Sequence, residues 1–148
     1  MAKLYDKLPL PDRRDEMVDA CTRLLDDEVK KKKGMGGLAV KAGYKILRAF
    51  KPGAAREAID TLFDDFIEAL EPFHQEHEQS GAGSFGDHLK TKAPQVAAAL
   101  VEVTDRRAEN SKHKNLVKAY KKMRPSALRN VEEAVPALAV LMDRYHQD

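Results

Sequence analysis

The stretch from Lys30 to Gly53, KKKKGMGGLAVKAGYKILRAFKPG, constrains the fold more than any other, because it joins the chain's densest positive charge to its most continuous apolar helical face. On a helical wheel begun at Leu38, the residues Ala39, Val40, Ala42, Gly43, Ile46, Leu47, Ala49 and Phe50 fill a broad arc, while Lys41, Lys45 and Arg48 form one narrow stripe. A helix that is apolar around more than half its circumference belongs in the middle of a bundle. Ala39 and Gly43, one turn apart, predict the close approach of a neighbouring helix, which accounts for a glycine that costs about 1 kcal/mol in a helix interior. The expectation is an all-α, single-domain helical bundle of five to seven helices packed around a central helix from about Leu38 to Phe50.

The other segments carry the same helical period. Residues 1–11 read as an extended N-terminal arm, since Pro9 and Pro11 bias their predecessors away from helix, with Leu4, Tyr5, Leu8 and Leu10 available to dock on the core. Asp12 is the expected cap of a first helix running to Lys33, with Met17, Val18, Cys21, Leu24, Leu25 and Val29 inward. Lys30, Lys31, Lys32 and Lys33 fall in its last turn, where the helix dipole favours cations. After the turn at Lys51, Pro52 and Gly53, a third helix buries Ala55, Ala58, Ile59, Leu62, Phe63, Phe66, Ile67 and Leu70. Pro72 leaves two readings open, a kink or the start of a short separate continuation. Residues 79–93 read as a Gly/Ser-rich loop holding a short helical turn from Phe85 to Leu89. A fourth helix starts at Pro94 and ends near Glu109. A fifth turns Leu116, Val117, Ala119, Tyr120 and Met123 inward, and a last helix turns Leu128, Val131, Val135, Leu138, Leu141, Met142 and Tyr145 inward, with a kink expected at Pro136.

At 148 residues the chain suits one domain, able to bury about 70% of its unfolded surface in a single core. A formal net charge of +2 implies no nucleic-acid role by itself, so only the local arrangement of charge informs. The lone Cys21 has no internal disulfide partner, and no apolar run is long enough for a signal peptide or a membrane span. The expected compartment is the cytoplasm, and the expected state a monomer or homodimer.

The segments LYDKLP, GMGGLAVKAGYK, KPG, ALEPF, GSFGDHL, VTDRRAE, VKAYKKMRPS and VEEAVPAL together resemble a family of small all-helical bacterial proteins with no assigned activity. The resemblance runs along the whole chain. It implies a helical domain in a bacterial cytoplasm and carries over no catalytic or binding residue, so function has to be read from the side chains themselves.

Charge is segregated. Positions 29–56 hold nine Lys or Arg and no acid, positions 57–89 nine Asp or Glu and no Lys or Arg, and positions 110–131 seven Lys or Arg and no acid. One reading has the acidic block facing the basic ones within the bundle, the usual fate of charge runs. The other has the basic faces, with Lys30, Lys31, Lys32, Lys33, Lys41, Lys45, Arg48, Lys114, Lys118, Lys121 and Lys122, forming a surface for an anionic partner: nucleic acid, an anionic membrane surface or an acidic protein. Tyr44 and Tyr120 stand beside those lysines, either as base-stacking rings or on the rim of the core.

Other constellations are weaker. The glycines from Gly34 to Gly37 follow a helix and lack the frame of a phosphate-binding loop. Glu71 and His74 have the i, i+3 spacing of a carboxylate-histidine metal pair, with His77, Glu78 and His88 close in sequence, but no second such pair occurs, which favours surface histidines beside a loop. Cys21 lies on an apolar face without a nearby histidine and reads as a structural thiol. The residues add up to a non-catalytic binding or scaffold domain without a cofactor. The alternative is a metal-binding or enzymatic bundle built on Glu71, His74, His77, Glu78 and His88.

Overall fold

A computed structural model describes residues 3–31, 41, 42, 44, 45, 49 and 53–147. Its secondary structure is all helical, as the periodicity predicts. The described helices are α1 (Leu4–Lys7), α2 (Arg14–Lys31), α3 (Ala54–Ser80), α4 (Phe85–Thr91), α5 (Ala93–Glu109), α6 (Lys114–Met123) and α7 (Ala127–Tyr145), with a 3-10 turn at Arg124–Ser126 joining the last two.

The main core gathers where α3, α4, α5 and α7 meet. It holds Phe63, Ile67 and Leu70 from α3, Phe85 and Leu89 from α4, Val96 from α5, and Val135, Leu141, Met142 and Tyr145 from α7. Helix α2 adds Met17 and Val18 and the N-terminal residues add Leu4 and Leu8. Fully burying a side chain of this kind contributes about 1.5–3 kcal/mol relative to leaving it in water. Cys21 packs against this core, and burial pushes its thiol up to about 11, in keeping with a structural role.

The expected central helix, with its close contact at Gly43, lies mostly outside the described residues. Of its described members, Tyr44 is buried in a small cluster with Val29 and Ala55, while Lys41, Ala42, Lys45 and Ala49 are exposed. The wheel placed Ala42 and Ala49 on the apolar arc, but they lie at its margin beside the lysine stripe. The buried Tyr44 borders the opposite margin, and its hydroxyl donates to Asp26.

Several boundaries differ from the sequence reading for identifiable reasons. The N-terminal arm is not wholly extended, since Leu4–Lys7 forms one helical turn with its first amide held by the Glu71 carboxylate at 2.7 Å. Leu4 and Leu8 do dock on the core. Asp12 lies in a turn two residues ahead of α2. Pro72 neither ends nor splits α3, which runs unbroken to Ser80 because buried Leu70 and His74 on either side hold it to the core. Gly81 then closes it in the left-handed region, at φ 63. The expected long loop shrinks to residues 81–84, since Ser84 and Asp87 form a capping box that starts α4. Leu128, expected inward, is 46% exposed at the start of α7, where the 3-10 turn sets the helix entry.

Gly86 explains how closely α4 and α7 pack. A Cβ there would stand 2.6 Å from the Ala139 carbonyl oxygen and 2.4 Å from Asp143 Oδ2, so only glycine lets the two backbones approach. Asp143 spans the contact, accepting from the Gly86 amide and the Ser84 hydroxyl, each at 2.7 Å.

Candidate functional site

The two charge readings separate by region. Along the α2–α3 seam the charges pair across the helices. Arg14 binds the Asp60 carboxylate and backbone carbonyl and reaches Asp64 at 3.7 Å, while Arg56 of α3 donates to Asp19 at 2.6 Å and reaches Asp15 at 3.6 Å. Asp60 and Asp64 of α3 therefore find a cation on α2, and Asp15 and Asp19 of α2 find one on α3. This is internal neutralisation, between different partners from those the block pattern suggests.

Helix α6 differs. It packs on α5 and on the 3-10 turn, with Ala119 buried and Leu116, Val117 and Tyr120 half-buried beneath it. Its anchor is Asp105 of α5, whose carboxylate accepts from the Tyr120 hydroxyl and from Arg124 Nε at 2.9 Å. Thr104 meets the same hydroxyl at 2.8 Å. The Tyr120 hydrogen bond and Arg124 hold the Asp105 carboxyl below its usual range, and burial together with Asp105 pushes Tyr120 up to about 12. Tyr120 is thus a structural residue and not a free stacking ring. On the outer side Lys114, Lys118, Lys121 and Lys122 are all exposed, and among the described residues none forms an ion pair.

In the first basic block, Lys30, Lys41 and Lys45 border one open hollow lined also by Val29, Tyr44 and Ala49. Lys31 is occupied by Glu28 at 2.8 Å. Lys32, Lys33 and Arg48 lie outside the described residues.

The histidines fall into a different pattern from the one their spacing suggests. His74 is not at the surface but fully buried, at 0% exposure. Its Nε2 lies 3.1 Å from His146 Nε2 and 3.3 Å from Glu78 Oε1. The ring of Phe85 stands edge-on to it at 5.3 Å. Burial pushes the His74 imidazole below its ordinary value, against the pull of the Glu78 carboxylate, so the ring is neutral at pH 7. Among the described residues, the Nδ1 atoms of His74 and His77 are buried without a hydrogen-bond partner.

The other expected ligands have other work. Glu71 accepts from the Leu4 amide and from Gln75, His77 Nε2 meets the Gly83 carbonyl at 2.9 Å, and His88 meets Glu76 at 3.3 Å. His146, the third member of the cluster, stands far from His74 in sequence, and no local spacing points to it. It is positioned by the chain end, where its amide donates to the Met142 carbonyl and the Gln147 amide to the Lys7 carbonyl, at 2.8 and 2.6 Å.

The model of DUF6918, a family of unknown function, matches residues 4–146. The chain belongs to that family. No curated protein and no solved structure matches the chain. The matched span takes in both the α6 surface and all three members of the His74 cluster. DUF6918 membership agrees with the resemblance read from the sequence, and it assigns no role to either region.

Proposed function

We propose that the protein is a non-catalytic binding domain that uses the outer face of α6 to engage the phosphate backbone of a nucleic acid. The observation that carries this reading is that Lys114, Lys118, Lys121 and Lys122 share one exposed face without a carboxylate partner among the described residues, while charges along the α2–α3 seam are paired. Lysines one turn apart stand about 5–6 Å apart along the helix, within side-chain reach of successive phosphates, and clustered cations bind by releasing counterions. A membrane surface fits less well, because the apolar side chains of α6 are turned into the protein and leave nothing to insert beside the lysines. Contacts of this kind to the phosphate backbone position a protein without reading sequence, so the binding is sequence-independent. A bacterial cytoplasmic setting and a monomeric or dimeric state belong to the same proposal, supported by the family resemblance and the single cysteine.

Titration of the protein at low salt against duplex DNA, single-stranded RNA and anionic vesicles tests the reading. Binding to the nucleic acids in preference to vesicles is expected, with loss of binding on reversing the four lysines to Glu. Vesicle-only binding, or no binding, would contradict it and leave an acidic protein as the better partner.

A further inference from the structure

We propose that His74, Glu78 and His146 form a site for a divalent transition-metal ion of the zinc class, with one coordination position open to water or an exogenous ligand. The ligand atoms of the three residues all lie within 4.8 Å of one another. A tetrahedral ion with bonds of about 2.0–2.1 Å places its ligands roughly 3.3–3.5 Å apart. The separations of 3.1 Å from His74 Nε2 to His146 Nε2 and 3.3 Å to Glu78 Oε1 are close to those edges. Two imidazole nitrogens and one carboxylate oxygen are also a donor set that zinc uses in sites with an open position.

Three Lewis-basic atoms converge on one spot, and a single cation accepts a lone pair from each. The ligands are also held in advance. His74 and Glu78 lie one turn apart on α3, the Phe85 ring packs edge-on to His74, and the Gln147 amide bonded to the Lys7 carbonyl ties down the segment that carries His146. His77 and His88 do not belong to the set, since their Nε2 atoms face the Gly83 carbonyl and Glu76. Among the described residues, none offers an acceptor to His74 Nδ1. Outer partners of this kind are worth 10- to 100-fold in metal affinity, roughly, so binding weaker than that of a fully supported zinc site is expected.

The test is Co²⁺ and Zn²⁺ titration of the full chain, free of any affinity tag, read by the visible spectrum of bound Co²⁺ and by thermal unfolding. One ion per chain is expected, with a four-coordinate Co²⁺ spectrum. At a Zn²⁺ concentration a hundred times the measured Kd, a Tm rise of roughly 5–10 °C should follow from linkage. His146→Ala, which alters a half-buried residue near the chain end, should abolish the spectrum and the Tm rise while keeping the helical circular dichroism of the metal-free protein. Glu78→Gln should weaken binding at least tenfold, and His77→Ala should leave it unchanged. Absence of a Co²⁺ spectrum in the wild type, or an undiminished one in His146→Ala, would overturn the assignment.

Discussion

The α4–α7 contact and the α6 face are two ways of attaching a helix to the same bundle. At the first, Gly86 brings backbone against backbone, Phe85 and Leu89 are buried, and the Asp143 carboxylate satisfies the Gly86 amide in the first turn of α4. At the second, a ten-residue helix rests on one buried alanine, a few half-buried side chains and the Asp105 anchor, with its cations turned to water. One short helix closes the core, and the other presents a surface.

The largest effect is expected from Gly86→Val. The added Cβ would strike the Ala139 carbonyl, which cannot rotate aside, so a loss of about 3 kcal/mol is expected in denaturant unfolding. An unchanged midpoint would mean that α4 and α7 are not in close contact. Asp105→Ala should cost less, about 1–2 kcal/mol, because it removes the acceptor shared by Tyr120 and Arg124. Amide exchange should accelerate first in α6, and uniform acceleration across the bundle would contradict the anchor.

The same anchor has a pH signature. The folded-state pKa of Asp105 is depressed, so its contribution is present above the ordinary carboxylate range and is lost as pH falls through the folded value. Wild type and Asp105→Asn should therefore differ in α6 exchange near neutrality and converge in acid. The smallest effect on stability belongs to the lysines of α6, where each reversal to Glu should cost under about 0.5 kcal/mol, since these side chains are exposed and form no ion pair among the described residues.

Much of the fold was legible because helical periodicity is a local property, and the boundaries at Ser80, Ala93 and Glu109 follow caps and breakers that lie in the sequence. Pro72 was not decidable from neighbours alone. Its local penalty favours a break, while the burial of Leu70 and His74 that overrides it exists only after folding. The candidate sites show the same divide. The lysine stripe of α6 could be drawn on a wheel, but its lack of carboxylate partners could not. His74 and Glu78 were visible as neighbours on one helix, whereas His146 joins them through a chain end that docks against α1. The Asp105–Tyr120–Arg124 anchor was missed for the same reason, being a contact across two helices and a turn.

Binding through α6 is tested by the salt dependence of duplex-DNA affinity, comparing wild type with Lys118→Glu and with Lys90→Glu. Lys118 has no ion pair among the described residues, whereas Lys90 already faces the Asp87 carboxylate at 3.3 Å. Each phosphate contact contributes about 0.9 to the slope of log affinity against log salt. The account predicts that Lys118→Glu lowers the slope by about one contact and Lys90→Glu leaves it unchanged. Equal loss in both variants, or a wild-type affinity indifferent to salt, would contradict a binding surface formed by the exposed lysines of α6.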